Sequence, residues 1–361
     1  MLVNLKPLFS DITWGAGGST ADLSLRLALH LKKTGHVSNL HVTCTNMDRE
    51  KLITALQSAH EGGIRNIVAL RGDPPAGETE WHPAAVNGFS CALDLVKYIR
   101  SVYGDAFGIS VAGYPEGHPD AIEEVTAQDI LTEREKIRSS VRNGVTYVCR
   151  EARYVKELAY LKEKVDAGAD FILTQMFFDV AVFEQFVEDC RRCGITCPII
   201  PGIMCIHAYA GFHRMTSFCK TRVPEWLSSK MEELKDNELG VKQFGAQVGI
   251  QMCRALFDLG VPGLHFYTLN LESPVYAITD GLGVTSGLSK LTWDADATLM
   301  AAVGSAWARV GDIVKSVYGS GTVREMRKDG TAVIVVTSWS LAGGQHPTAI
   351  LQKGSYNKIF Q

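Results

Sequence analysis

The residues of this chain best suited to do chemistry are Arg71, Gly72 and Asp73, a cation and a carboxylate on either side of a glycine. They follow the run Asn66–Leu70, whose consecutive apolar residues predict a strand buried on both faces. A charged pair at the end of a buried strand is costly to desolvate unless it has partners. Two explanations remain open at this point: a binding or catalytic site, or a structural ion pair in a turn.

The composition narrows the classes of protein to consider. With 361 residues, of which 46% are hydrophobic, the chain can bury a large core and hold a second small domain. Its 36 basic and 39 acidic residues give a net charge of -3, which predicts no nucleic-acid partner and no membrane partner. No apolar run approaches the roughly 20 residues of a membrane span, and the amino terminus lacks a signal-peptide pattern.

The cysteines point to an intracellular, reducing environment. Nine cysteines, an odd number without disulfide-framework spacing, predict reduced thiols and a cytoplasmic location. Cys190 and Cys193 form a lone CxxC pattern near the end of a predicted helix. A zinc site would need a second Cys or His pair at ligand spacing, so no metal is expected.

Buried-strand patterns alternate with amphipathic helical patterns from about residue 8 to 284. This rhythm predicts parallel strands joined by crossover helices. The seven predicted strands are 8–13, 39–44, 66–70, 108–112, 171–174, 198–201 and 264–267. A barrel and an open doubly wound sheet both fit, but no GxGxxG motif follows a strand, which disfavours a dinucleotide-binding doubly wound fold.

Polar residues cluster just after six of these strands. A single residue of this kind more often satisfies a local hydrogen bond than binds a ligand. Six strand ends with the same feature favour a (β/α) barrel, because the sites of barrels are built at the carboxyl ends of the strands. The residues are Thr13, His41 with Thr43, Arg71 with Asp73, Tyr114 with His118, Gln175, and Tyr267 with Asn270.

Three segments stand outside this rhythm, which leaves residues 1–284 as the main domain. The charged insertion 122–153 has no obvious core of its own and is predicted to be a solvated surface excursion. Residues 285–306 are expected to be a linker. Residues 307–361 contain short β-rich runs, with an Asp-Gly hairpin signal at 329–330, and predict a small antiparallel SH3-like β module.

Seven sequence blocks occur in one order that resembles the methylenetetrahydrofolate reductase family. The blocks are FSDITWGAGGST, LHVTCTN, GIRNIVALRGDPP, VAGYPEGHP, LKEKVDAGADFILTQMFFD, CPIIPGIM and PGLHFYTLN. The resemblance covers about residues 8–284 apart from the insertion. It implies a (β/α)8 TIM-type barrel, expected to be a homo-oligomer. The family passes hydride from NADH or NADPH to FAD and then to 5,10-methylenetetrahydrofolate, giving 5-methyltetrahydrofolate for one-carbon and methionine metabolism.

The resemblance also implies roles for individual residues. Asp73 is the expected catalytic residue, a carboxylate near the flavin ring that favours the cationic form of the folate. Gln175 and Tyr267 are expected to bind the folate. Residues expected to bind FAD are Thr13, His41, Leu70, Arg71, Gly72, Asp73, Ala112, Tyr114, His118, Glu157, Tyr160 and Lys164. Gly211, Met215 and Leu271 differ from the residues that relatives have at the matching positions, which contact substrate there.

One expected element has no counterpart in the sequence. Family members begin with a strand whose glutamate protonates the folate, so the sequence predicts a barrel that lacks its first strand. We therefore expect a shortened reductase with an impaired folate half-reaction. The first alternative is a catalytically impaired relative that acts as a binding or regulatory subunit. The second, a different barrel enzyme for a phosphorylated ligand, is disfavoured because no glycine-rich phosphate loop follows the late strands.

Overall fold

A computed structural model describes residues 2–14, 20–45, 47–74, 88–126, 128–142 and 144–289, together with five strands between 313 and 358. Residues 15–19 of the GAGGST motif, most of the predicted linker and the turn at 329–330 lie outside the described residues. The chain divides into two compact units, which are described separately. The first comprises Met1–Tyr114, Ala152–Gln175 and Glu188–Ile200, and the second comprises Pro115–Glu151, Met176–Val187 and Pro201–Gln361.

The strands and helices alternate through most of the described chain. The strands are β1 (Ser10–Ile12), β2 (Ser38–Thr43), β3 (Asn66–Leu70), β4 (Gly108–Gly113), β5 (Ile122–Val125), β6 (Ser140–Arg142), β7 (Val145–Cys149), β8 (Phe171–Thr174), β9 (Ile199–Ile200), β10 (Gly202–Met204), β11 (His265–Tyr267), β12 (Ile313–Ser316), β13 (Gly319–Met326), β14 (Ala332–Val336), β15 (Thr348–Leu351) and β16 (Tyr356–Lys358). The helices are α1 (Leu2–Leu5), α2 (Ala21–Lys33), α3 (Arg49–Glu61), α4 (Ala92–Tyr103), α5 (Glu133–Arg138), α6 (Glu151–Asp166), α7 (Val180–Arg192), α8 (Tyr209–Phe218), α9 (Glu225–Leu234), α10 (Glu238–Asp258) and α11 (Ser273–Gly281).

The first unit is built on a six-stranded parallel sheet with the order β1-β2-β3-β4-β8-β9. Within this sheet the strands follow one another in chain order, with no reversal, although β5, β6 and β7 intervene in the chain between β4 and β8. A doubly wound sheet would reverse its order at a switch point, whereas a barrel wall keeps this sequential order. The predicted mixed α/β fold with parallel strands is therefore confirmed, while a TIM-type barrel that lacks its first strand stays a prediction.

Helices pack on one face of the sheet, and polar residues of β2 lie on the other. In β2, the Ser38 hydroxyl donates to the Ala28 carbonyl of α2 at 3.1 Å, which places the helix layer on that face. The alternate residues Asn39 and His41 therefore lie on the opposite face. In β3, Ile67, Val68 and Ala69 are all buried, as their uninterrupted apolar run predicts.

An arginine of α4 secures the turn that leads into β8. The Arg100 guanidinium donates twice to the Gly168 carbonyl, at 2.9 and 2.7 Å, and pairs with Asp170 at 2.7 Å. Gly168 has a φ of +117°, and a Cβ there would lie 2.7 Å from Arg100 Nε. Glycine is therefore required where α6 ends, as the helix-stop signal in the sequence indicates.

The second unit contains the remaining parallel pair, β10 and β11. Only Pro201 separates β9 from β10 in the chain. Proline has no N–H to donate to a strand ladder, which explains the break between these two strands. All seven predicted strands occur, several with shifted ends: the sixth, 198–201, corresponds to β9, and the seventh begins at His265, whereas β10 was not predicted.

The prediction that residues 122–153 form a solvated excursion was wrong. This segment contains the antiparallel sheet β5-β7-β6 and helix α5, and its last residues form the first turn of α6. Arg138 and Glu135 are buried within it. Arg138 donates to the Cys149 carbonyl at 2.8 Å and pairs with Glu151 at 2.5 Å. The charges that make the segment look solvated are buried because they have charged and backbone partners.

The last five strands form an antiparallel sheet with the order β15-β14-β13-β12-β16. The predicted hairpin is confirmed, since β13 pairs with β14. Val323 and Ile334 are register partners there, and both are buried. The likeness of this sheet to SH3-like modules, and the division at residues 284 and 306, stay predictions.

Candidate functional site

The carboxyl edge of the first unit's sheet gathers most of the predicted site residues. Thr13 directly follows β1, Tyr114 directly follows β4, and Gln175 directly follows β8. The backbone N–H of Gln175 donates to the Gly113 carbonyl at 2.8 Å, which joins the ends of two neighbouring strands. Because parallel strands all end at the same edge, these residues share one rim of the unit.

The turn of residues 71–73, hereafter the 71–73 turn, lies at the end of β3. Gly72 has a φ of +92°, a left-handed conformation that residues with a side chain rarely adopt. The Cys44 amide, just past β2, donates to the Arg71 carbonyl at 2.9 Å. Leu70, Arg71, Gly72 and Asp73 are all half-buried. The turn is thus attached to the neighbouring strand and still reaches solvent.

His41 on β2 has a charged neighbour that sequence reasoning missed. Its Nε2 lies 3.6 Å from Asp11 Oδ2 on β1, and the two side chains are 15% and 9% exposed. His41 Nε2 itself is buried, so the exposed part of the ring is away from Asp11. The one signal for Asp11 was a carboxylate inside a short strand, two residues before the predicted site residue Thr13.

Three predicted residues of α6 share one helical face, as their spacing at 157, 160 and 164 requires. Lys164 is buried, and its Nζ donates to the Ala112 carbonyl of β4 at 2.9 Å. The same Nζ lies 5.0 Å from the centroid of the Tyr160 ring, within cation–π range. Burial lowers the pKa of Lys164 to about 8, and the nearby Glu157 carboxylate partly offsets that shift. The structure therefore brings Ala112, Glu157, Tyr160 and Lys164 together.

The beginning of α4 adjoins this cluster and was not predicted to do so. The Leu93 amide donates to the Tyr160 hydroxyl at 3.4 Å. The Cys44 thiol donates to the Cys91 carbonyl at 3.6 Å. Burial raises the pKa of the Tyr160 hydroxyl, and burial raises the pKa of the Cys44 thiol to about 12. Both groups are therefore neutral at pH 7, and the sequence carried no signal for these contacts.

Two predicted site residues, His118 and Tyr267, belong to the second unit. His118 Nδ1 accepts from the Asp120 amide at 3.2 Å and lies 3.4 Å from the Asp120 carboxylate. Tyr267 ends β11, and its ring packs edge-on against His265 at 4.8 Å. Within the second unit the structure thus gives each of them a local partner.

A buried carboxylate in the second unit was also missed. Glu116 Oε2 accepts from the Arg222 amide at 2.6 Å, and Glu116 Oε1 is buried without a partner in the described part of the chain. Burial raises the pKa of Glu116 to about 8, so it is largely protonated at pH 7. The Arg222 guanidinium is engaged elsewhere, with Asp179 at 3.1 Å and the Ser139 carbonyl at 2.6 Å.

The described residues lack two features that would change the class of protein, a metal-binding cluster and a membrane-spanning helix. No group of three or more His, Cys, Asp or Glu side chains among them is placed to hold a metal ion. None of the helices formed by those residues combines the length and the apolar character that crossing a bilayer demands.

The residues present fit an anionic nucleotide in two respects. A buried ammonium at Lys164, bonded to a neutral carbonyl, would be compensated by a pyrophosphate. Gly72, with a positive φ and no side chain, lets a ligand approach the backbone closely. The fold and site together define a parallel α/β protein with a candidate nucleotide site at the carboxyl edge of its sheet.

Comparison with known proteins assigns this class more narrowly. The sequence model of the family described as methylenetetrahydrofolate reductase matches residues 1–283. The chain belongs to the methylenetetrahydrofolate reductase family, as its seven sequence blocks predict.

Individual relatives agree with this assignment. The chain is 49% identical over 279 residues to a probable methylenetetrahydrofolate reductase (NADH) of Oryza sativa, covering 77% of this chain and 43% of the rice protein. It is 48% identical over 284 residues to methylenetetrahydrofolate reductase (NADH) 1 of Arabidopsis thaliana, covering 78% and 44%. It is 36% identical over 285 residues to a probable methylenetetrahydrofolate reductase (NADPH) of Caenorhabditis elegans, covering 77% and 38%. The chain spans less than half the length of these relatives.

Proposed function

We propose that this chain reduces 5,10-methylenetetrahydrofolate to 5-methyltetrahydrofolate in a flavin-dependent reaction that uses NADH or NADPH, within one-carbon and methionine metabolism. The observation that carries the proposal is the meeting of Ala112, Tyr160 and Lys164 at the carboxyl edge of the sheet, the edge where Thr13, Tyr114 and Gln175 directly follow their strands. Family membership and the names of the relatives support the same reaction, and those names include both nicotinamide nucleotides.

FAD is the proposed resident cofactor, and when bound it would supply hydride acceptance from the nicotinamide and hydride donation to the folate. Lys164 would bind a pyrophosphate oxygen as a point charge. Arg71 would bind the phosphate and ribityl region, and Gly72 would allow close approach of its backbone. The remaining proposed contacts are Thr13, His41, Leu70, Ala112, Tyr114, His118, Glu157 and Tyr160.

Asp73 is the proposed catalytic residue. Its place in the 71–73 turn fixes a carboxylate at the rim, half-buried, where a negative charge stabilises positive charge that develops on the folate. Gln175 offers both a donor and acceptor from one amide, which suits the edge of a pterin ring. For Tyr267 of the second unit we propose a role in binding folate, on the resemblance alone. A homo-oligomeric state is proposed on the same basis, and a cytoplasmic location is proposed from the nine cysteines, which lack disulfide-framework spacing.

The test is to purify the full chain, identify any bound flavin, and assay folate reduction with NADH and with NADPH. We expect non-covalent FAD and folate-dependent oxidation of at least one nicotinamide, at the reduced rate that the sequence predicts for the folate half-reaction. A chain that binds FAD but never reduces the folate would favour a binding or regulatory subunit instead. A chain that binds neither FAD nor folate would overturn the proposal.

A further inference from the structure

Thr45 is a completely buried residue, 0% exposed, two positions past the end of β2. Its backbone continues the β2–β3 ladder beyond the last register pair, because its amide donates to the Arg71 carbonyl at 3.1 Å. The preceding amide, that of Cys44, donates to the same carbonyl at 2.9 Å. The main chain around Thr45 is therefore attached to the start of the 71–73 turn.

The side chain of Thr45 reaches further along the same turn. Its hydroxyl lies 3.2 Å from the Arg71 carbonyl and 3.0 Å from the Asp73 carbonyl. These two carbonyls stand on either side of Gly72, the residue with the left-handed φ of +92°. A hydroxyl has one hydrogen, so it donates to both carbonyls in a shared bond or alternates between them. In either case one buried group spans the turn.

This arrangement matters because glycine does not fix its own backbone. Gly72 can populate positive and negative φ almost equally, so the turn depends on its neighbours to keep one conformation. The Asp73 carbonyl is bonded by Thr45 from a strand whose own backbone is held in the sheet. A change in the turn would carry the Asp73 side chain with it, and catalysis is sensitive to displacements of about 1 Å.

We propose that Thr45 is a positioning residue: its hydroxyl fixes the 71–73 turn and thereby sets the direction of the Asp73 carboxylate. This inference rests on the proposed function for the role of Asp73, but the geometry of the turn is independent of it. A purely structural threonine would stabilise the fold and leave turnover per bound flavin unchanged. The two roles therefore differ in a measurable way.

The test compares three single variants of the full chain. Thr45→Val keeps the shape and removes the hydroxyl, and Thr45→Ser keeps the hydroxyl. Thr279→Val is the matched control, because Thr279 is a buried residue of α11 whose hydroxyl donates to the Val275 carbonyl at 3.0 Å. For each variant, hydrogen exchange of the Cys44 amide and of the residue 45 amide, which both donate to the Arg71 carbonyl, is measured without flavin. Folate turnover per bound flavin, thermal stability and FAD content are measured after loading with FAD.

We expect Thr45→Val to speed exchange at these two amides about tenfold, and to lower turnover per flavin about tenfold. Thr45→Ser should restore both values, and Thr279→Val should lower stability without changing either. In an Asp73→Asn background, Thr45→Val should have little further effect on turnover, because both changes act through one carboxylate.

Three results would overturn the inference: unchanged exchange in Thr45→Val, equal defects in Thr45→Val and Thr45→Ser, or faster exchange with unchanged turnover per flavin. A failure of the proposed function looks different. In that case the unmodified chain neither retains FAD nor reduces the folate, while the exchange comparison still decides whether the Thr45 hydroxyl holds the turn.

Discussion

Lys164 Nζ donates to the Ala112 carbonyl at 2.9 Å, so a helix of the first unit places a buried ammonium at the end of β4. Burial lowers the pKa of this lysine from 10.5 to about 8. A bound pyrophosphate would favour the charged form and raise the pKa again. FAD binding would therefore take up a proton whenever the pH exceeds about 8.

The first prediction is that FAD affinity falls as pH rises above about 8, by at most tenfold per pH unit. Lys164→Arg should abolish this decline because arginine stays protonated, and Lys164→Met should bind weakly at every pH. The measurement is a fluorescence titration of the apoprotein with FAD between pH 7 and 10. Lys162→Met is the control, since Lys162 lies on the same helix and pairs with Asp166 at 2.6 Å. The assignment is wrong if Lys164→Met keeps the pH dependence of the unmodified chain.

The second prediction concerns Asp73 at the rim of the sheet. Asp73→Asn should lower folate turnover per bound flavin about a hundredfold, because the carboxylate acts on developing positive charge, and should change FAD affinity far less. Asp170→Asn is a matched control: Asp170 accepts from the Ile109 amide at 2.6 Å and pairs with Arg100, so it should affect stability and spare turnover. Loss of flavin with unchanged turnover in the flavin-bound fraction would make Asp73 a structural ion-pair partner.

The sequence predicted those parts of the fold that are determined by residues close together in the chain. Both ends of β3 were predicted correctly, because Gly72 and Pro74 follow its apolar run closely and mark where the strand ends. The predicted strand 198–201 corresponds to β9, and the short strand β10, which begins just after Pro201, was not predicted. Local patterns thus located the strands of the six-stranded parallel sheet but not β10 or the antiparallel strands β5, β6 and β7.

The errors and omissions came from long-range contacts. Arg138 lies in a segment predicted to be solvated, yet it is buried, because its partners Cys149 and Glu151 lie 11 and 13 residues away and only the fold brings them together. Asp11 and Glu116 were missed for a similar reason, since their partners are His41 and the Arg222 amide. The role of Thr45 depends on two carbonyls across a strand pair, and no spacing in the sequence reports such a contact.

The third prediction is a pH dependence of stability that comes from Glu116. Burial raises its pKa in the folded chain to about 8, above the ordinary value of 4.5. Between these values the folded chain keeps a proton that the unfolded chain has released, so the free energy of unfolding falls as pH rises through that window. The unmodified chain should lose free energy of unfolding between pH 5.5 and 8, and we expect Glu116→Gln to reduce that loss by about 2–3 kcal/mol.

Urea unfolding at both pH values measures this effect. Glu233→Gln is the control, because Glu233 is an exposed surface partner of Lys230 and should leave the pH dependence unchanged. Equal pH dependence in Glu116→Gln and in the unmodified chain would show that Glu116 is ionised in the folded protein. The amide of the glutamine variant can still accept from the Arg222 N–H, so the variant keeps that contact.

The last prediction tests the buried charges of the antiparallel sheet β5-β7-β6. Arg138 is buried and bonds both the Cys149 carbonyl and the Glu151 carboxylate, whereas Arg134 on the same helix pairs with Glu151 at 3.3 Å from a more exposed position. Removing one partner of a fully buried pair costs roughly 3–5 kcal/mol, and the partial exposure of Glu151, 38%, reduces that cost. We expect Arg138→Met to lower the free energy of unfolding by about 2–3 kcal/mol and Arg134→Met by less than about 1 kcal/mol.

Urea unfolding followed by circular dichroism measures both, and hydrogen exchange of β7 should quicken only in Arg138→Met. Equal, small losses in the two variants would mean that the pair contributes no more than a surface salt bridge, and that the apolar residues Ile122, Val125 and Val148 hold this sheet together.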